Sequence, residues 1–159
     1  RYTFRVADAG PVPLSEELDF IEGYLDIERA RFGERLRVLW RIEPEARSVR
    51  IPGLLLQPLV ENAVGHGIAP RAAGGSVAIA ARTRDGLLEI VVSDDGVGLS
   101  GPAGARIREG HGLSNVAQRL GVFTRGEGSL ALEPGPGGLG AVARIEIPIR
   151  EDGAEASDR

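Results

Sequence analysis

Leu55-Leu56-Gln57-Pro58-Leu59-Val60-Glu61-Asn62-Ala63-Val64-Gly65-His66-Gly67 is the stretch of this 159-residue chain on which the fold turns. Its first half is apolar enough to be buried, and it closes in polar residues and two glycines. A buried helix from Pro52 to Val64, ended by Gly65 and Gly67, fits that pattern. Pro58 has no N–H, so it either kinks this helix or sits in the first turn of its second half. Asn62 then lies one turn from the end of a mostly apolar helix, where an amide is costly unless it has partners. Two readings follow. Asn62 is a structural residue, or its amide oxygen serves a hard ion such as Mg²⁺, which takes one or two protein oxygens and the rest from phosphates and water.

Outward from this stretch the periods are clear. Toward the N-terminus, Gly10-Pro11-Val12-Pro13 breaks the chain, and a helix starts at Leu14 with Ser15 as its N-cap. Glu16 and Glu17 fall in its positive first turn, Leu18, Ile21 and Leu25 follow at helical spacing, and Arg29 and Arg31 precede a stop at Gly33. Leu36, Val38, Trp40 and Ile42 alternate as a half-buried strand ending at Pro44. Toward the C-terminus, Val77, Ile79 and Ala81 alternate, Asp85-Gly86 turns, and Leu88, Ile90 and Val92 alternate again, which makes a hairpin. A glycine-rich loop from Asp94 to Gly112 leads to a helix over Leu113–Thr124, then to strands near Ser129–Glu133 and Ala141–Ile149. The polar tail 151–159 is expected to be disordered. Strands in hairpins with helices inserted predict an α+β fold: a two-layer sandwich of a mostly antiparallel mixed sheet with helices on one face.

Composition removes several function classes. The net charge of −4 argues against a general nucleic-acid binder, which would need a basic face for the phosphates. No apolar run reaches the ~20 residues that span a bilayer. With no cysteine, disulfide and thiolate chemistry are absent. All 19 basic residues are arginine, so a Walker A loop and a eukaryotic-type kinase site, which each need a phosphate-binding lysine, are both excluded. Gly110-x-Gly112 lacks a third glycine and does not follow a strand, which removes the dinucleotide fingerprint.

Two further clusters carry chemistry. Ser93-Asp94-Asp95-Gly96-Val97-Gly98 follows a strand. A carboxylate there can accept from an exocyclic amine such as adenine N6 while the glycines admit a flat base, or the segment is a plain surface turn. Gly110-His111-Gly112-Leu113-Ser114-Asn115 opens a helix, where backbone N–H groups and the dipole favour an anion, or the glycines only loosen the helix entry.

Taken in order, the three clusters resemble the N, G1 and G2 boxes of the GHKL superfamily: Asn62-Ala63, Asp94-x-Gly96-x-Gly98 and Gly110-x-Gly112-Leu113. The chain is most similar to the LytS-type sensor histidine kinases, through Val12–Leu18, Tyr24–Leu36, the long run Gln57–Gly67, and Gly112-Leu113-x-Asn115-Val116-x-x-Arg119-Leu120. The resemblance implies the Bergerat-type ATPase fold, with residues 1–33 as the end of a dimerisation hairpin plus a linker helix and 34–150 as the ATP-binding catalytic domain. It implies ATP and Mg²⁺ as cofactors. Asn62 would hold the metal, Asp94 would read the adenine amine, and Gly96 and Gly98 would let the base pack closely. Gly110 and Gly112 would hinge a lid over the triphosphate, and Leu113 would join the nucleotide-binding residues. His66, Asn115 and Arg119 would lie near the phosphates, with Asn62 and His66 at the catalytic end. Arg106 and Arg108 would reach the γ-phosphate from the lid, or are simply solvated.

Its partners would be the dimerisation hairpin that carries the phosphorylated histidine, upstream of Arg1, and a response regulator receiver domain. The setting would be the cytoplasmic side of an inner-membrane sensor. A fragment without that histidine is expected to bind ATP and not to phosphorylate itself. Where many members of the family carry lysine, this chain has Gly65. Relatives that hydrolyse ATP place a glutamate four residues before the asparagine. Here that residue is Pro58, which cannot act as a base. A serine kinase of the anti-sigma-factor class and an ATP-binding pseudokinase scaffold are the alternatives.

Overall fold

The computed structural model describes residues 10–99 and 111–150. The chain runs β1 (Val12–Pro13), α1 (Leu14–Phe32), β2 (Leu36–Ile42), β3 (Arg50–Ile51), α2 (Gln57–Asn62), a π-helical turn (Ala63–Ile68), β4 (Gly75–Arg84), β5 (Leu87–Asp94), α3 (His111–Thr124), β6 (Ser129–Pro134) and β7 (Ala141–Pro148). Five strands form one sheet in the order β2-β4-β5-β7-β6. The β2–β4 pair is parallel and the others are antiparallel, so the sheet is mixed, as expected. β1 and β3 form a separate two-stranded antiparallel ribbon, Val12 opposite Ile51, which the sequence did not announce because each is two residues long.

One face of the sheet is covered. Alternate residues Val77, Ile79 and Ala81 of β4, Leu88, Ile90 and Val92 of β5, and Ile145 and Ile147 of β7 are buried in one core. Against them pack Leu14, Leu18, Ile21 and Leu25 of α1, Leu59 and Val60 of α2, and Val116 and Leu120 of α3. Each such side chain withdrawn from water contributes ~1.5–3 kcal/mol. Because α1 supplies four of these residues, the boundary expected between residues 33 and 34 does not divide the core.

Three expectations about helix ends are corrected. α1 is entered from Pro13, extended at φ −60° and ψ 144°, with no side-chain cap, so Ser15 is not its N-cap. Ribbon pairing with Arg50 fixes Pro13 one residue before the helix instead. The Asn62 helix does not begin at Pro52. Leu54 has φ 58°, in the left-handed region, so no helix passes through it. α2 therefore starts at Gln57 with Pro58 in its first turn, the second of the two places open to it, where the missing N–H is harmless. Gly65 and Gly67 do not end this helix either: they lie inside the π turn, in which Ala69 N–H donates to the Val64 carbonyl at 2.8 Å. Gly110, Arg106, Arg108, the stretch 1–9 and the tail 151–159 lie outside the described residues.

Candidate nucleotide site

The inner face of the sheet tapers toward one end. Along β5, residues 88, 90, 92 and 94 share that face, and their β7 partners are Ile147, Ile145, Ala143 and Ala141. Large pairs thus give way to alanines opposite Val92 and Asp94. The small side chains leave a recess beneath α2 and the start of α3. Its apolar walls include Leu59, Ala63, Val92, Leu113 and Leu132, and its polar groups are Asn62 and Asp94. The recess holds about 20 Å³, on the scale of one water. A larger concavity of about 780 Å³ lies on the opposite sheet face, beside Leu39, Ala78, Ala80 and Val91, and contains none of the candidate residues. The candidate residues Asn62, Asp94 and Leu113 line the smaller one.

Asp94 is the acidic end of a hydrophobic row. Burial pushes its carboxyl up from 3.8 to about 6, and the neighbouring Asp95 charge adds to that rise. The Gly96 N–H, donating to Asp94 Oδ1 at 2.9 Å, and the Ala141 N–H oppose it. A carboxylate offers about four acceptor positions, so two backbone donors leave capacity for a ligand N–H.

The turn after Asp94 is locked against the π turn by backbone contact. A Cβ on Gly96 would stand 2.1 Å from the Gly67 carbonyl oxygen, and one on Gly67 would stand 2.5 Å from Asp94 Oδ1. Backbone leaves room only for glycine at Gly96, whereas at Gly67 a side chain would push the Asp94 carboxyl aside. Val97 N–H donates to the Gly67 carbonyl at 3.1 Å, and Gly140 N–H donates to the Gly96 carbonyl at 3.0 Å. Gly98 has φ 82° and passes close to the Gly138 carbonyl. Asp95 faces away from the recess: its Oδ1 accepts the Ser76 N–H at 2.6 Å, and Arg71 donates to its carbonyl.

The structure therefore brings together Asn62, Asp94, Gly96 and Leu113, with Gly67 joining them. Asn62 is half-buried, and no hydrogen bond ties its amide to another described residue. His66 is half-buried in the π turn, Gly112 lies in the first turn of α3, and Asn115 is exposed on that helix. Arg119 is committed elsewhere: its Nη1 donates to the Gly53 carbonyl at 2.9 Å, behind α2, and it does not line the recess. Six residues place it nearly two turns down α3 from Leu113.

No family model matches the chain. Among individual proteins it is 37% identical over 143 residues to the sensor histidine kinase YpdA of Escherichia coli, across 85% of this chain and 25% of that protein. It is 29% identical over 154 residues to the sensor protein LytS of Enterococcus faecalis, across 91% of this chain and 26% of that one. Among solved structures, the ATP binding domain of PrrB from Mycobacterium tuberculosis superposes with a TM-score of 0.58 at 25% identity, covering 89% of this chain and 97% of that one. The chain belongs to the sensor histidine kinases, as a catalytic domain of LytS type. It spans about a quarter of the length of the relatives first matched. The catalytic domain of the histidine kinase ThkA, at 17% identity and a TM-score of 0.64, shares the fold.

Within this histidine kinase domain, the recess also depends on residues not named as site residues from the sequence. Leu59, Ala63, Val92, Leu132, Ala141 and Ala143 line it beside Asn62, Asp94 and Leu113. The available signal was the pair of alanines in a strand otherwise filled inward by isoleucine. Their meaning needed the β5–β7 register, which no local pattern supplies.

Proposed function

We propose that this domain binds ATP with Mg²⁺ in the Asn62–Asp94 recess and donates the γ-phosphoryl group to a histidine on the dimerisation hairpin of the full-length kinase. Asp94 accepts a hydrogen bond from the adenine N6 amine, and Gly96, packed on the Gly67 backbone, holds the turn that carries it. Asn62 offers an amide oxygen of the type Mg²⁺ takes, and the ion, when bound, neutralises charge on the phosphates. Among the described residues no group of three or more His, Asp or Glu is placed to hold a metal alone, which suits an ion that shares its shell with phosphates and water. His66, Gly112 and Asn115 flank the phosphate end.

In the transfer, an imidazole nitrogen of the acceptor attacks the γ-phosphorus, the bond to the bridging oxygen breaks, and ADP leaves. A receiver-domain aspartate of the response regulator then takes the phosphoryl group. The domain works on the cytoplasmic side of its sensor, where ATP is available. No helix among the described residues is long and apolar enough to cross a membrane. The absence of a base at Pro58 favours transfer to an imidazole over attack by water.

The observation that carries this reading is Asp94, a desolvated carboxylate closing an apolar recess that also holds Asn62. Asp94→Asn replaces an acceptor oxygen with a donor toward the N6 amine. It should weaken ATP binding by one charge-assisted hydrogen bond, ~1.5–3 kcal/mol. Calorimetry showing unchanged ATP affinity in this variant would sink the site assignment.

A further inference from the structure

Glu17 and Thr124 are the buried polar side chains among the described residues, at 5% and 3% exposure. Thr124 acts locally, at the end of α3, where its hydroxyl donates to the Leu120 carbonyl and accepts the Gly128 N–H. Glu17 reaches across the fold. From the first turn of α1 its Oε1 accepts the Leu54 N–H and its Oε2 accepts the Leu56 N–H at 2.9 Å. Burial pushes this carboxyl up, and the Leu56, Leu54 and Leu55 N–H groups and the Arg119 charge pull it back. A carboxylate is expensive to bury, and apolar packing alone would be met by a leucine or methionine at this position.

The loop that Glu17 grips is the entry to α2. Leu56 precedes that helix, and its carbonyl accepts the N–H groups of Leu59 and Val60, both at 3.0 Å. Seating Leu56 therefore seats the first turn. α2 is six residues long and ends in Asn62, so it spans only ~9 Å and transmits the position of its start to its end. The same loop is held from the other side by Arg119 of α3, through the Gly53 carbonyl. Leu54, between the two grips, stays in the left-handed region that a leucine avoids.

We infer that Glu17 is a positioning residue for Asn62: its buried carboxylate, with Arg119, fixes the Gly53–Leu56 loop and so sets where the Asn62 amide stands relative to Asp94. This rests on the ATP–Mg²⁺ reading of the recess. It makes α1 the element through which a displacement of the upstream chain reaches the metal end of the site. The adenine end is carried by β5, whose pairing with β4 and β7 does not involve the clamp.

The test separates the two ends. ATP with Mg²⁺, and adenosine alone, are titrated calorimetrically into the wild-type chain and Glu17→Gln, at a temperature where circular dichroism shows both folded. The glutamine turns an NH₂ toward backbone N–H groups and releases the loop. ATP–Mg²⁺ affinity is expected to fall about ten-fold or more, the usual cost of losing the support behind a metal ligand, with adenosine affinity within about two-fold. Equal loss for both ligands, or no loss, overturns the inference. A wild-type chain that binds neither overturns the ATP reading itself.

Should the variant not fold, amide hydrogen exchange on the wild-type chain decides. By reciprocity, ATP–Mg²⁺ should slow exchange at Leu54 and Leu56 and adenosine should not. Unchanged protection under ATP–Mg²⁺ contradicts the clamp.

Discussion

Gly96→Ala probes the backbone lock on which the site is built. The new Cβ would stand 2.1 Å from the Gly67 carbonyl oxygen and 2.3 Å from its carbonyl carbon, with no flexible side-chain end able to move aside. The turn after Asp94 and the π turn must separate. That overpacking costs ~1–3 kcal/mol. The bonds from Val97 to Gly67 and from Gly140 to Gly96, at 3.1 and 3.0 Å, are strained with it, at ~1 kcal/mol each. A total of ~3–5 kcal/mol is a sizeable part of the ~5–15 kcal/mol that holds a domain together. At ~2–4 °C per kcal/mol for a domain of this size, Tm falls by ~6–20 °C.

Gly65→Ala is the matched control, since nothing stands within 4 Å of its Cβ position and its backbone is helical. It should be neutral or raise stability by up to ~1 kcal/mol. Differential scanning calorimetry of the three proteins at one pH reads the comparison. A Gly96→Ala melt within about 2 °C of wild type would refute the close packing of the two turns.

Other outcomes follow from the same geometry. The Asp94 carboxyl, raised from 3.8 to about 6, holds in the folded state a proton that the unfolded chain has released. Its stabilising contribution is therefore complete below 3.8 and lost as pH rises through about 6. Asp94→Asn, free of the buried charge, should melt above wild type at pH 7.5, and the gap should close toward pH 4 in a series of thermal melts, while ATP affinity falls. Asn62→Ala should remove the dependence of ATP binding on Mg²⁺, so that titrations with and without the ion coincide. Gly65→Lys places an ammonium in open space beside the site and should tighten ATP binding by a few-fold, up to about 1 kcal/mol, with the gain shrinking at high salt.

The sequence carried the sheet strands well, because Val77–Ala81 and Leu88–Val92 alternate strictly and the Asp85-Gly86 turn joins them. It also carried the three boxes, whose residues Asn62, Asp94 and Leu113 meet in one recess although 51 positions separate the first from the last. What it missed was non-local. The apolar run at Pro52–Leu56 has helical composition, yet Glu17, 39 residues before Leu56, captures its N–H groups and holds it as a loop. Gly67 reads as a helix terminator, but in the fold it is the surface against which Gly96 packs. In each case a tertiary partner overrides a correct local signal.

The central claim, that the recess between Asn62 and Asp94 takes adenine nucleotide with a metal, is tested most directly by calorimetric titration of ATP and GTP into the wild-type chain, each with and without Mg²⁺. The account predicts binding that is selective for ATP over GTP and strengthened by Mg²⁺. Equal affinity for both nucleotides, or no binding by a chain that circular dichroism shows to be folded, would contradict it.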